Sequence, residues 1–292
     1  MLGAASETEK AEGFHVHLGD ADIAALMQAL LQSKGRIQKL QLPSLTVWIK
    51  RHGTEKLSAW IKLQSFLAKL LPYTCMRPSP PLDGAGLMRR EIETMQVFRA
   101  KGFPVPPIIY SSRTAVVLGD VGQTLAERMD GLKGRAPQDH DALLVKSATA
   151  LGELHAADLC HGRPHVRDFF LENDRVGFMD FEERPQDVMP LQTAQARDVW
   201  LLFLQVATRA CNSSATCDAA FAGWYRNAPA ATVEELRRLV DILGRFLPLA
   251  RLIGRVRMGS DLRRFIMATD YLMNAVKPEA AGKALGEAGK ND

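Results

Sequence analysis

The sequence predicts an α+β protein in which a small strand-rich unit precedes a larger helical one. Two β-like runs, Ile37 to Leu42 and Leu45 to Ile49, and a third at Thr114 to Leu118 lie ahead of a Gly119-Asp120-Val121-Gly122 break. Beyond that break, nearly every periodic segment has helical spacing. The chain has 292 residues, 47% hydrophobic and 24% charged, enough for two cores and too apolar for general disorder.

The elements follow in order. Residues 1–18 read as a flexible arm. Ala21 to Leu31 has the apolar spacing of a helix and stops at Gly35. Pro43-Ser44 joins the first two strands. Thr54 to Leu71 reads as an amphipathic helix ended by Pro72, and Arg77 to Gly86 as a loop dense in proline and glycine. A further helix spans Leu87 to Lys101, followed by an extended Pro104 to Tyr110. After the break, helices are expected from Leu125 and at about 141–158, 191–210, 218–226, 232–246 and 260–276, with a hairpin near 169–180. Thr232 and Glu235 have capping-box spacing. Residues 278–292, rich in Ala, Gly and Lys, read as a disordered tail.

Cys75, Cys160, Cys211 and Cys217 have neither C-x-x-C spacing nor a disulfide framework, so free thiols in a reducing compartment are expected. A Cys211–Cys217 bridge across a short loop is the alternative. Met1 to Lys10 carries Glu7 and Glu9 and lacks the apolar core of a signal peptide. No stretch approaches the roughly 18 apolar residues of a membrane span. A cytoplasmic location is the expectation.

The chemistry concentrates in Leu151 to Glu183, LGELHAADLCHGRPHVRDFFLENDRVGFMDFEE. A helix ends at Leu154-His155, a polar loop runs from His161 to Asp168, and a hairpin through Asn173-Asp174 delivers Asp180. Asp168 and Asp180 are hard oxygen ligands of the type that Mg²⁺ takes, one or two at a time, while keeping several waters.

This layout resembles the catalytic core of the protein-kinase-like phosphotransferases, and it is most similar to aminoglycoside and choline kinases and bacterial lipopolysaccharide core kinases. Their loop reads H-G-D-x-x-x-x-N, and their metal-binding Asp ends the next hairpin. His161-Gly162 matches the first two letters, Asp168 takes the Asn slot, and Asp180-Phe181-Glu182 stands at D-F-G or D-x-E. The resemblance implies a bilobal protein-kinase-like fold: a nucleotide-binding lobe over 19–118, a hinge over 119–124 and a helical lobe over 125–277. It implies ATP and Mg²⁺ as cofactors, with Asp168 and Asp180 on the metal. Lys50 stands where a strand lysine pairs with nucleotide phosphates, and Glu91 where a helix glutamate orients it. Gly35 is the lone glycine ahead of the first strand, so backbone amides alone would cradle phosphate there. Gly119 and Val121 fall at the hinge that meets adenine. Asp198 stands where a helix Asp braces the catalytic loop, beside His161.

One departure bears on catalysis. Arg163 replaces the Asp that follows H-G, and a guanidinium cannot accept a proton from a hydroxyl. Three readings stay open. Asp168 serves both metal and hydroxyl; or Arg163 clamps phosphate while His165 or another carboxylate orients the nucleophile; or the chain binds nucleotide without transferring phosphate. Protein serine/threonine phosphorylation lacks a recognisable activation segment between Asp180 and Asp198.

Net charge is +4, but residues 237–264 hold eight arginines and only Asp241 and Asp261, a local +6 that leaves the rest at −2. The expected partner is anionic: a small-molecule or glycolipid acceptor, or a membrane surface touched peripherally through 237–264. Nucleic acid is not expected, because only Phe246 and Phe265 lie in reach for base stacking.

Overall fold

A computed structural model describes residues 18–32, 35–51 and 82–277. The chain divides into two compact units, the first holding described residues 18–51 and 106–120, the second 82–105 and 121–277. The architecture is α+β and mostly helical.

In the first unit a helix α1 (Asp20–Gln32) packs on a four-stranded antiparallel sheet of β1 (Ile37–Gln41), β2 (Thr46–Arg51), β3 (Ile108–Ser111) and β4 (Ala115–Gly119), in order β1-β2-β4-β3. Strand alternation puts Val47 and Ile49 of β2 and Val117 of β4 on the face that meets Leu26 of α1. Asp22 locks α1 to the β1–β2 turn, accepting from the Ser44 amide at 3.0 Å and its hydroxyl at 2.7 Å. The register pairs Lys50 with Val116, so Lys50 lies on the sheet face opposite α1 and is buried.

The second unit begins with α2 (Gly84–Ala100). Its start falls before the expected Leu87 because Asp83 accepts from the Gly86 amide, and the glycines of the first turn need no intrahelical donor bond. A lobe over 19–118 was expected to include this helix, but α2 belongs to the second unit. The reason is aromatic packing: Phe98 lies edge-on to Phe178 and Phe181 at centroid distances of 5.8 and 4.6 Å. The Phe178 amide also donates to Pro104 O.

Next come α3 (Leu125–Leu132) and α4 (Pro137–Ala156), the hairpin β5 (Phe169–Glu172) and β6 (Arg175–Phe178), then α5 (Leu191–Arg209), α6 (Ser213–Tyr225), α7 (Ala230–Gly244), α8 (Leu247–Val256) and α9 (Ser260–Ala275). Helix α4 starts ahead of the expected 141 because Pro137 suits a first helical position. It lies against α6 closely enough that a side chain at Gly152 would strike the Trp224 carbonyl at 2.6 Å. Helix α5 packs on α7 and α9, with Phe203 stacked on Tyr271. Asn173 and Asp174, both at positive φ, make the two-residue hairpin turn.

Two expectations are corrected. The capping box sits at Thr124 and Glu127, at the start of α3. Thr232 instead lies inside α7, buried and donating to Gln195, while Glu235 accepts from Thr193 at 3.1 Å. Helix α8 falls between the expected helices at 232–246 and 260–276, and its Pro248 sits in the first turn, where a proline leaves the helix intact. Cys211 and Cys217 are free thiols, as is Cys160. The expected helix at 54–71, most of the loop at 77–86, the tail at 278–292, Cys75 and most of the arm at 1–18 lie outside the described residues. No helix of the described residues is long and apolar enough to cross a membrane.

Candidate functional site

The site is a loop held from below. Helix α4 ends at Ala156, and Asp158, at φ 60°, turns the chain out. Asp198 on α5, fully buried, takes the His161 amide at 2.6 Å on one carboxylate oxygen and the Gly162 amide at 2.9 Å on the other. Gly162 has φ 97°, and a Cβ there would meet the Glu183 carbonyl at 2.5 Å, so only glycine lets the loop pass this close. The Trp224 indole donates to His155 Nδ1 at 3.1 Å, which leaves the His155 proton on Nε2, 3.6 Å from Asp198. Burial lowers the pKa of His155 and of His161, so both are neutral at pH 7. The His161 ring lies among Phe169, Phe178 and Phe181, a packing role beneath the loop.

Two carboxylates face the loop. Asp168 closes a short 3₁₀ turn (Val166–Asp168) and is 5% exposed. Burial first, and then the charge of Asp180, push its pKa up to about 7, against attraction from Arg167 and Arg163. Asp180 follows β6 with φ 68°, a conformation that costs a non-glycine residue on the order of 1–3 kcal/mol. The charge of Asp180 raises the proton affinity of the buried Asp168, and two neighbouring carboxylates offer the hard oxygen ligands that a divalent cation takes.

Arg163, in the slot after His161-Gly162, is not open to solvent on all sides. It lies 3.3 Å from Glu182, 3.8 Å from Asp180 and 3.9 Å from Glu183. Arg197 of α5 pairs with Glu183, and Arg90 of α2 reaches the Glu182 carbonyl and Asp187. The segment 180–187 is thereby held by guanidinium groups from α2, α5 and the loop. His165 caps the 3₁₀ turn through Nδ1, which accepts from the Arg167 amide at 3.1 Å. Burial and then the charges of Arg167, Arg209, Arg264 and Arg163 lower its pKa to about 4. A neutral imidazole with Nδ1 engaged offers Nε2–H as a donor and no free base nitrogen.

Asp168, Asp180, Arg163, His161, His165 and Asp198 thus belong to one loop-and-hairpin assembly in the second unit. Glu91 is buried on α2 in the same unit. Lys50, Gly35 and Gly119 belong to the first unit. The Gly119 amide is committed to the Pro107 carbonyl at 2.8 Å, and the Gly35 carbonyl accepts from Arg51 at 3.3 Å. Val121 belongs to the second unit, at the start of its later stretch. Sequence reasoning missed Glu183 and Arg197, whose pairing only the fold brings about; the single legible hint was Arg197 beside Asp198.

A second polar cluster, His140, Asp141 and Cys211, has the donor types of a metal site. Asp141 is already occupied: it accepts from the Cys211 and Asn212 amides and the Thr216 hydroxyl, fastening the start of α6 to α4. Burial would raise its pKa, but these bonds, with His140, hold it well below the ordinary carboxylate range.

No family model matches the chain. It is 30% identical over 125 residues to a protein of Haemophilus influenzae described as an uncharacterized protein, covering 43% of this chain and 49% of that one. The chain therefore spans about half the length of the curated relative it matches.

Proposed function

We propose that this chain is an ATP-dependent phosphotransferase of bilobal protein-kinase-like design, working in the cytoplasm on a hydroxyl of a small-molecule or glycolipid acceptor. The observation that carries the reading is the buried Asp168 beside Asp180, on a loop whose amides are fastened by Asp198. Asp168 and Asp180 would hold Mg²⁺, which when bound neutralises charge on the nucleotide phosphates. Asp168 would also accept the acceptor's proton, a role Arg163 cannot take. His165 would orient the acceptor by donating from Nε2. From the first unit the reading calls on Lys50 for the phosphates.

A second reading, nucleotide binding without transfer, draws support from Arg163. Its guanidinium sits 3.8 Å from Asp180, where it competes with a metal for the same carboxylate. Thermal shift with Mg·ATP, followed by a turnover assay over candidate hydroxyl acceptors, separates the two. Nucleotide at about 100 times its dissociation constant adds about 2.7 kcal/mol of stability, and Asp180→Ala abolishes the gain. Stabilisation without turnover favours the second reading; no stabilisation ends both.

A further inference from the structure

Helix α8 carries an apolar stripe on its outside. Leu249, Leu252, Ile253 and Val256 are 55%, 58%, 50% and 90% exposed. At about 100° per residue they fall within an arc of about 100° along a helix about 15 Å long. Phe246 and Met258, just outside the helix, are exposed as well. The opposite side is anchored, with Leu247 and Ala250 buried. An apolar face this continuous on an otherwise well-covered helical unit marks a contact surface.

The charges around it name the contact. Residues 242–260 contain Arg245, Arg251, Arg255 and Arg257 and no acid. The arginines at the margins of the basic region are locally neutralised: Arg237 and Arg238 by Glu234 and Glu235, Arg264 by Asp261. Arg251 is held by Asp270 at 2.7 Å. Arg245, Arg255, Arg257 and Arg263 are exposed and have no ion pair among the described residues. A second copy of this chain would bring these arginines against their equals, so self-association through the stripe is opposed by charge. A bilayer with anionic headgroups meets both requirements at once: the stripe enters the headgroup–acyl boundary, and the guanidinium groups flanking it meet lipid phosphates.

We infer that α8 is an interfacial membrane helix that docks this protein on an anionic lipid surface, with Leu249, Leu252, Ile253 and Val256 inserted and Arg245, Arg255, Arg257 and Arg263 on the headgroups. The inference stands apart from the phosphotransferase reading, since no residue of the loop-and-hairpin site takes part.

The test is sedimentation of the full chain with phosphatidylcholine vesicles, either alone or carrying about 30 mol % phosphatidylglycerol. Binding is expected on the anionic vesicles at low ionic strength, with strong loss near about 0.5 M NaCl and on phosphatidylcholine alone. L252E/I253E is expected to weaken binding at least about tenfold. R255Q/R257Q weakens it about fivefold for each arginine removed. Both variants keep the unfolding midpoint of the parent, because the altered side chains are exposed. Failure of the parent chain to bind anionic vesicles overturns the inference, as does undiminished binding by L252E/I253E. A concentration-dependent dimer that L252E/I253E dissolves, in a chain that ignores vesicles, would assign the stripe to self-association instead.

Discussion

The loop-and-hairpin assembly and helix α8 handle charge in opposite ways. In the first, every guanidinium is met: Arg163 by Asp180, Glu182 and Glu183, and Arg197 by Glu183. The carboxylate of Asp198 is buried with two amides on it. Charge there is internal, and removing one member strands another in a poorly solvated place. Around α8, Arg251 is tied to Asp270, but Arg245, Arg255, Arg257 and Arg263 stand in water near exposed leucines with no ion pair among the described residues. The difference separates charge that holds a loop in shape from charge that faces outward, and substitutions in the two regions should differ accordingly in cost.

The largest cost is expected at Asp198→Ala. It leaves two loop amides without an acceptor and takes away the carboxylate nearest His155, and urea unfolding should show a loss of about 4 kcal/mol. A loss below about 1 kcal/mol would mean that water replaces the carboxylate and that the loop is not held from α5.

Next is the pH dependence at Asp168. Its folded pKa of about 7 exceeds the ordinary aspartate value of 3.8, so the folded state holds the proton more tightly. The resulting stability is present below about pH 4 and is lost progressively as pH rises to about 7, about 4 kcal/mol in all. Asp168→Asn should remove that slope. His155 and His161 act in the opposite sense, since both are neutral when folded and the stability tied to that is lost as pH falls below 6.5. Comparing parent and variant from pH 5 to pH 8 isolates the Asp168 share, and identical profiles would reject the raised pKa.

Asp141→Ala tests a structural carboxylate away from the loop. Loss of the bonds to Cys211, Asn212 and Thr216 should cost about 2 kcal/mol, read from the urea midpoint. Zinc titration of the parent chain, followed by thermal shift, should give no stabilisation, because the Asp141 oxygens already serve α6. The smallest effect belongs to α8: L252E/I253E should change unfolding stability by no more than about 0.5 kcal/mol. A larger loss would show that the stripe is covered within the protein, and the contrast between the two regions would fall.

Much of the helical order was legible in the sequence. The heptad-like spacing of Leu236, Leu239, Val240 and Leu243 on α7 could only be a helix with one face inward. Starts were less legible, because a first turn is defined by what caps it. Asp83 and Pro137 begin helices that periodicity alone places several residues later. The false capping box at Thr232 shows the limit of a motif: the spacing is right, but Pro229 had already started the helix, so the threonine is free to bond Gln195. Within the candidate site, the residue types from His161 to Asp180 were readable as chemistry. Which amides Asp198 accepts, and that Arg163 is enclosed by three acids, were not.

By itself the sequence determined an α+β chain with strands before helices, a carboxylate-bearing loop and hairpin, and a basic stretch of +6 across 237–264. These depend on local spacing and composition, which act between residues near one another along the chain. Only the tertiary structure decided that α2 belongs with the helical unit, that burial beside Asp180 raises the pKa of Asp168 to about 7, and which arginines of the basic stretch have no ion pair among the described residues. Those outcomes turn on burial and on distances between residues far apart in the chain, and a carboxylate's proton affinity or a guanidinium's partner exists only once the fold has set them.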